Sequence, residues 1–544
     1  MFGVADSTLG AVRPIRWQRW IFHLGVPLAF VAIALWLMPF SSTFEFDTDE
    51  GLSFAQAQLY GQGYALYGEI WTDQPPVFVV ILSHWLRFWQ GWGLEDGVVV
   101  GRSLSLLFAT VLVWAFAQVV RLTVSDLAAL IATGCLILSC NFLRLSVSAM
   151  IGLPSLTLAM LAIYALVIAQ GRSPQQRAGL AILSGLALAV SLQIKMYTLF
   201  LIPILALFWF LPQKQTAITH PSPPHRAQAL RPYSVLFLLS LTLGWLTIAM
   251  ASGAIAHWGD FWQFHVNDDL KSVFVNEVSW RDVLVFYVQD LDYGILAIWG
   301  LGALGLQGVS GAMGTLARIA NRSGLTHLSH QSLPLIWLAT ATILLINHKP
   351  LWYHHYLLIS IPLCWLAAFG IQSIAQSWQQ GQKWQAVISR RSAIARLSPV
   401  GWILLFLLLT TPVKFALLHH QNQVFARETA AHHLVFQEVQ AYQSQTHWLL
   451  TDLPIYAAHG GLNVPPELAM ISRKRIASGQ ITAAWLADLM AKYQPEQVIL
   501  GRFPELRALL QPELDAHFEE RSHPQVSHFI HHRLLNHEKN MRES

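Results

Sequence analysis

The sequence predicts an all-α polytopic membrane protein that ends in a small soluble α/β domain. Residues are 54% hydrophobic and only 12% charged, whereas an average soluble domain has about 25% charged residues. Eleven apolar runs are long enough, or nearly so, to cross a bilayer. They cover residues 21–40, 98–120, 127–143, 150–169, 178–192, 196–211, 235–254, 293–308, 333–347, 356–371 and 400–418. From residue 419 the hydrophobic density falls, which marks the soluble domain.

The first apolar run predicts a retained signal anchor, because it follows Arg13, Arg16 and Arg19 and no Ala-x-Ala cleavage site comes after it. With the N-terminus in the cytoplasm, the loops on that side hold 15 Lys and Arg residues, and the opposite loops hold six. The positive-inside rule therefore predicts a cell-membrane protein with a cytoplasmic N-terminus and, given an odd number of spans, an extracytoplasmic C-terminus. The small net charge of +4, spread along the chain, argues against a nucleic-acid partner.

The first outer loop, residues 41–97, begins with an acidic segment that has no Lys or Arg between residues 44 and 76. An aspartate costs about 2.5–3.5 kcal/mol at mid-bilayer, so this segment lies at the water–lipid boundary. Apolar spacing predicts a surface helix over 51–62. The run 76–92 is apolar but carries His84 and Arg87 and is too short to cross, which predicts an interfacial or re-entrant helix.

Later segments define the two predicted domains, a transmembrane domain over 1–418 and a soluble extracytoplasmic domain over 419–544. The Pro- and His-rich stretch 212–232 predicts a cytoplasmic linker. In the soluble domain, 446–454 and 495–503 have the character of short strands, and 481–493 has helical apolar spacing. The histidines of this domain lack the spacing of a metal site, so surface histidines are the better interpretation.

Cations are placed at the outer ends of predicted spans, near the acidic loop. They are Arg102, Arg144 and Lys195, with Asp290 and Asp292 at the same level. Such cations suit a lipid-linked phosphate at the headgroup boundary. The alternative is that each long side chain simply extends to the interface from a helix end.

The first outer loop contains the motifs Asp49-Glu50-Gly51, Leu59-Tyr60-Gly61-Gln62-Gly63 and Asp73-Gln74-Pro75-Pro76, and Gly101-Arg102 opens the second predicted span. These motifs resemble those of the GT-C membrane glycosyltransferases, in particular the protein mannosyltransferase and aminoarabinose transferase-like superfamily (glycosyltransferase family 39-like). Gln193-Ile194-Lys195 and Tyr353-His354-His355-Tyr356 are similar to later motifs of the same group. One feature departs from the group, because the acidic residue that many relatives carry soon after the position of Arg144 is absent.

The resemblance implies an inverting enzyme that transfers a sugar from a polyprenyl-phosphate donor, held in the membrane lipid, to an acceptor glycan, lipid or protein at the outer face. It makes Asp49 the general base and gives Glu50 the task of orienting the acceptor or Asp49. Lys195 and Arg102 are then phosphate contacts. His355 and Tyr356 line the donor pocket, and the acceptor side of the loop is formed by Asp73, Gln74 and Pro75.

A divalent cation is left open by the sequence, because Asp47-x-Asp49 resembles the metal-binding pair of other GT-C enzymes; no other cofactor is expected. Two further functions are also open. A transporter or flippase of lipid-linked sugars would show repeated halves or charges at mid-bilayer, and neither is visible. A non-catalytic membrane scaffold would use the soluble domain as its binding module.

Overall fold

The computed structural model describes residues 19–94, 96–210, 233–265, 280–316, 330–348, 350–385, 399–523 and 525–536. The predicted linker 212–232 lies outside these residues. Within them the chain forms a helical bundle followed by a small mixed sheet with its own helices. Each of the eleven apolar runs coincides with a helix or with a bent pair of helices, so the all-α character of the membrane part is confirmed.

Helices α1 to α16 make up the bundle and the first outer loop. They are α1 Val26–Leu37, α2 Thr48–Gly61, α3 Val77–Gln90, α4 Gly97–Thr123, α5 Asp126–Ile137, α6 Cys140–Val147, α7 Gly152–Ile168, α8 Pro174–Leu192, α9 Leu201–Phe210, α10 Tyr233–Ala251, α11 Trp258–His265, α12 Trp280–Val288, α13 Leu291–Leu316, α14 Leu333–Ile346, α15 Leu357–Gln385 and α16 Pro399–Ala441. The expected surface helix over 51–62 and interfacial helix over 76–92 are present as α2 and α3.

Four of the described helices are long and apolar enough to cross a membrane unaided, and two bent pairs bring this number to six. The four are Gly97–Thr123, Tyr233–Ala251, Tyr353–Ser377 and Gly401–Ala441. Shorter apolar helices cover Ile21–Leu37, Gly152–Ile168, Met196–Phe210 and Leu333–Ile346. The protein is therefore an integral membrane protein, while the number of eleven spans stays a prediction.

The two bent pairs meet at their breaks. Helices α5 and α6 turn by 71° and α12 and α13 by 95°. Ser139 at the first break has extended backbone angles and accepts a hydrogen bond from the Phe142 N–H, which starts α6. The same hydroxyl donates to Asp290 at the second break, at 2.8 Å. The breaks thus satisfy each other's polar groups inside the bundle, where an unpaired group would be costly.

The C-terminal part forms a four-stranded sheet with strand order β1-β2-β4-β3. Strands β1 Leu449–Thr451 and β2 Gln497–Leu500 are parallel, and β3 Phe518–Ser522 and β4 Ser527–His531 form an antiparallel hairpin beside β2. The helices of this part are α17 Ile455–Gly460, α18 Arg473–Ala477, α19 Ala483–Tyr493 and α20 Pro504–His517. The predicted strands in 446–454 and 495–503 and the helix in 481–493 are confirmed.

The sheet domain is packed directly on the first outer loop. Phe54 and Leu59 of α2 share one hydrophobic core with Val435 of α16, Leu449 of β1 and Ile455 of α17, and all five are buried. At Gly51 the approach is so close that an added Cβ would lie 2.5 Å from the Ile455 backbone nitrogen. The helix α16 continues through the expected domain boundary at residue 418 and links the bundle to this domain without a break.

Candidate active site

A capped helix, α2, begins within the acidic segment and leaves Asp49 partly exposed to solvent. Asp47 has extended backbone angles and its Oδ1 accepts a hydrogen bond from the Asp49 N–H at 3.0 Å, which begins α2. Burial is the main cause that raises the pKa of Asp47 to about 6, with the Asp49 charge adding to it. The Asp49 side chain is 43% exposed.

Glu50, the next residue, is completely buried against Arg102 of α4. The two groups form a bidentate pair, with Nε to Oε1 at 2.9 Å and Nη2 to Oε2 at 2.8 Å. Glu50 also accepts hydrogen bonds from the N–H groups of Phe46 and Ala149. Arg102 donates further hydrogen bonds to the carbonyl oxygens of Phe40, Thr43 and Phe44. All five N–H groups of the guanidinium thus have protein acceptors.

Arg144 of α6 supports the same segment from the opposite side. Its Nε and Nη2 both donate to the Phe46 carbonyl oxygen, at 3.1 and 2.6 Å. Nη2 also lies 3.5 Å from Asp47 Oδ2, and the guanidinium stacks over the Tyr353 ring at 4.1 Å from its centroid. The bend between α5 and α6 is what brings this arginine to the loop.

Lys195 lies between α8 and the 3-10 turn Met196–Phe200, and it donates to Nε2 of His354 at 2.7 Å. Burial lowers the pKa of Lys195 to about 8, against the opposing attraction of Asp49, Asp73 and Asp47. These three carboxylates are therefore near enough to act on the ammonium group. The loop is tied to this lysine by the Val77 N–H, which donates to the Gln193 carbonyl oxygen at 3.0 Å.

His355 and Tyr356 occupy different surroundings from their neighbour His354. Nδ1 of His355 accepts from the Trp352 N–H at 3.2 Å, and its ring packs against His348. The Tyr356 hydroxyl contacts Ser139, Asp290 and Tyr293 in a buried cluster. Lys414 of α16 completes this cluster through ion pairs with Asp290 at 3.0 Å and Asp292 at 2.8 Å.

Asp73, Gln74 and Pro75 line a partly open pocket close to Lys195. Gln74 Nε2 donates to Asp73 Oδ1 at 2.9 Å, and the Tyr67 hydroxyl donates to the Gln74 carbonyl oxygen at 2.8 Å. The other residues that line the pocket include the aromatic side chains of Trp245, His257, Trp258 and Phe261. Gln193 and Met196, which flank Lys195 in the chain, also line it. Aromatic faces with a few convergent polar groups are typical of a small-ligand site.

One cation of the site comes from the C-terminal domain. Nη2 of Arg502 lies 3.7 Å from Asp49 Oδ1. Arg502 and His354 were not singled out as site residues from the sequence, whereas Arg144 was expected as one of the cations near the acidic loop. A signal for Arg502 existed, because Asp452 and Arg502 follow the two parallel strands, and the carboxyl ends of parallel strands gather functional residues at one edge.

The described residues contain no group of three or more His, Cys, Asp or Glu side chains arranged to hold a metal ion. Asp47 Oδ1 accepts the Asp49 N–H, and Asp47 Oδ2 lies near Arg144. Two carboxylates without further ligands do not make the six- to eight-oxygen shell of Ca²⁺ or the octahedron of Mg²⁺. The described part of the chain therefore offers no support for the metal alternative at Asp47 and Asp49.

No family model and no curated protein matches the chain. Solved structures do match over nearly its whole length. The apo crystal structure of ArnT from Cupriavidus metallidurans has a TM-score of 0.58 at 13% identity and covers 93% of this chain and 97% of that chain. The chain has the GT-C glycosyltransferase fold.

Two ligand-bound structures with this GT-C fold are also similar. ArnT from Cupriavidus metallidurans bound to undecaprenyl phosphate has a TM-score of 0.55 at 13% identity and covers 93% of this chain and 98% of that chain. The archaeal oligosaccharyltransferase AglB from Archaeoglobus fulgidus, in complex with an inhibitory peptide and a dolichol-phosphate, has a TM-score of 0.52 at 12% identity, covering 95% of this chain and 75% of that chain.

Proposed function

We propose that this protein is a membrane glycosyltransferase that moves a sugar from a polyprenyl-phosphate donor to an acceptor at the outer face of the membrane. The observation that carries this proposal is a pocket with aromatic walls, lined by Asp73 and Gln74 of the acidic loop and by Gln193 and Met196, which flank Lys195 in the chain. The GT-C fold supports it, since a solved protein with this fold is bound to undecaprenyl phosphate.

Lys195 is the proposed contact for the donor phosphate. It is half-buried and lies next to the pocket. The one hydrogen-bond acceptor described for its ammonium group is Nε2 of His354, a neutral nitrogen that would compete weakly with a phosphate. A phosphate oxygen is a stronger acceptor for an ammonium group. We revise the expected roles of two other residues. Arg102 has no spare N–H group for a phosphate, and the histidine hydrogen-bonded to Lys195 is His354, whereas His355 was the one expected to line the donor pocket.

Asp49 is the proposed general base. Within the described residues its carboxylate accepts no hydrogen bond, so its lone pairs are available to a substrate hydroxyl. Removal of the hydroxyl proton by Asp49 strengthens the attacking oxygen. That oxygen forms a bond to the anomeric carbon while the bond to the phosphate oxygen breaks, and the lipid phosphate leaves beside the Lys195 cation. A single displacement of this kind inverts the anomeric configuration.

The remaining residues are proposed to hold the sugar and to fix the loop. Asp73 and Gln74 offer polar atoms to sugar hydroxyls, and the aromatic walls suit the apolar face of a sugar ring. Pro75 shapes the pocket wall. Glu50 and Arg102 hold the loop so that Asp49 faces the site, and Tyr356 belongs to the buried cluster that fixes the bent helices.

Binding of the lipid phosphate tests the donor site directly. Native mass spectrometry of the full chain in detergent with undecaprenyl phosphate should show a complex, and Lys195→Met should weaken it about tenfold or more. Because the lysine loses its charge as pH rises through about 8, wild-type binding should fall above that pH, whereas Lys195→Arg should keep it. Lys492→Met, which removes a surface ion pair with Glu467, is the matched control.

Transfer is tested in membranes supplied with undecaprenyl phosphate that carries a radiolabelled sugar. Asp49→Asn should reduce movement of label out of the lipid fraction by about a thousandfold, as expected for loss of a general base with its proton-transfer contribution of about 10²–10⁴, while lipid binding is kept. Unchanged transfer in Asp49→Asn would contradict the enzyme and favour a scaffold or transporter. Unchanged lipid binding in Lys195→Met would contradict the proposal that Lys195 binds the donor phosphate.

A further inference from the structure

The position of Arg502 is fixed by a buried carboxylate in the C-terminal domain. Asp452, which follows β1, accepts the backbone N–H groups of Gly501, Arg502 and Phe503 at 2.9, 2.9 and 2.7 Å. Gly501 leaves room for this turn, since an added Cβ would lie 2.9 Å from Leu453 Cδ1. Three hydrogen bonds on consecutive N–H groups hold the turn after β2 in one conformation, so the base of the Arg502 side chain has little freedom.

The Arg502 side chain crosses from this domain to the first outer loop. Its Nη2 lies 3.7 Å from Asp49 Oδ1, and the side chain is 21% exposed. This distance is that of an ion pair but exceeds a normal hydrogen bond. The pairing of Glu50 with Arg102 is different, because there both carboxylate oxygens accept short hydrogen bonds. Arg502 therefore neutralises Asp49 without occupying the lone pairs that a base must use.

Other charged groups near this pair do not replace Arg502. Arg144 donates to the Phe46 carbonyl oxygen and faces Asp47, and Lys195 donates to His354. Glu45 lies close enough to feel the Arg502 charge, but burial raises its pKa to about 8, so it is mostly neutral at pH 7 and a weak competitor for the cation. Arg502 Nη1 is buried and has no hydrogen-bond partner among the described residues.

We propose that Arg502 is a positioning residue for Asp49, supplied by the C-terminal domain, and that the active site is complete only when this domain is docked on the first outer loop. This rests on the proposed function, in which Asp49 is the base. The soluble domain is then part of the catalytic unit. An acceptor must fit between the loop and the domain, because Asp49 lies at their junction.

The test compares Arg502→Met and Arg502→Lys with Arg507→Met in the full chain. Arg507 pairs with Glu520 and Ser527 inside the same domain, away from the loop, so it controls for general damage. Two readouts need no acceptor: native mass spectrometry with undecaprenyl phosphate, and carbodiimide labelling of Asp49 followed across pH by peptide mass spectrometry. The transfer assay in membranes, with and without added methylguanidinium, is the third.

In Arg502→Met we expect lipid binding within twofold of wild type, transfer reduced about tenfold to a hundredfold, and the pH midpoint of Asp49 labelling raised by about half a unit or more. Lysine at this position or added methylguanidinium should restore part of the transfer. An unchanged labelling midpoint, or a loss of transfer matched by Arg507→Met, would overturn the proposal. Failure of the proposed function would instead appear as unchanged lipid binding in Lys195→Met and unchanged transfer in Asp49→Asn.

Discussion

At the scale of single residues, two neighbouring carboxylates have opposite surroundings. Glu50 is fully buried, and its carboxylate oxygens accept hydrogen bonds from Arg102, Phe46 and Ala149. Asp49 is partly exposed and lies 3.7 Å from Arg502. A group whose lone pairs are all used stabilises the fold, and a group whose lone pairs are available can accept a proton from a substrate. In the proposed enzyme, Glu50 is thus a structural carboxylate and its neighbour Asp49 is the proposed base.

Arg102→Met should destabilise the protein by about 3–5 kcal/mol, because it leaves Glu50 buried without its partner. The double variant Arg102→Met with Glu50→Met should be more stable than Arg102→Met alone, since no unpaired charge remains in the core. The measurement is the thermal midpoint of the purified protein in detergent. If Arg102→Met kept its midpoint and lost only lipid binding, Arg102 would be a phosphate contact as the sequence motifs implied.

Some of these roles were readable in the sequence and others were not. The Asp-Glu pair and Lys195 stood out because charged residues are rare beside apolar runs. The resemblance implied different roles for Asp49 and Glu50, but only the fold shows that Glu50 pairs with Arg102, which lies 52 residues further along the chain. His354 and His355 are adjacent in a 3-10 turn, and only the fold determines which of them meets Lys195.

At the scale of elements, the N-terminus of α2 sets the position of Asp49. The cap at Asp47 satisfies the Asp49 N–H, and Arg144 holds the preceding carbonyl group at Phe46. The support from Arg144 depends on a bend that hydropathy does not reveal, because the apolar run 127–143 looks continuous. Ser139 in that run is a helix-capping residue type, and its pairing with Asp290 explains why the chain turns there.

Asp47→Ala and Asp47→Asn separate capping from charge at this position. Asparagine still accepts a backbone N–H, so Asp47→Asn should keep stability and transfer within about threefold of wild type. Alanine removes the cap, which costs about 1 kcal/mol, and should lower transfer by loosening Asp49. Thermal midpoints and the membrane transfer assay give the comparison. Equal losses in both variants would show that the negative charge matters, as a metal site requires.

At the scale of the whole molecule, the C-terminal domain and the first outer loop form one packed unit. The fall in hydrophobicity after residue 418 predicted a different kind of structure there, and periodicity predicted the two strands and the helix that the fold contains. Its docking was not predictable, because the contact depends on shape: Gly51 lets the Ile455 backbone approach α2. Long-range packing of this kind leaves no periodic trace in a sequence.

Gly51→Ala should disturb this docking, since its Cβ would lie 2.5 Å from the Ile455 nitrogen. We expect a lower thermal midpoint and faster protease cleavage of the C-terminal domain, together with reduced transfer. Gly68→Ala in the same loop is the control, because its Cβ would meet only Ala65 Cβ at 3.7 Å. If both variants had the same thermal midpoint and cleavage rate, the close contact at Gly51 would not be needed for docking of the domain.

The helix Pro399–Ala441 extends from the bundle to the sheet domain, 43 residues without interruption past Pro412. Such a helix is about 65 Å long and advances about 1.5 Å and 100° with each residue. Its length therefore contributes to the distance and the orientation between the bundle and the domain that carries Arg502. Adding one residue between the bundle and the domain would rotate one against the other by about 100°, which should separate Arg502 from Asp49.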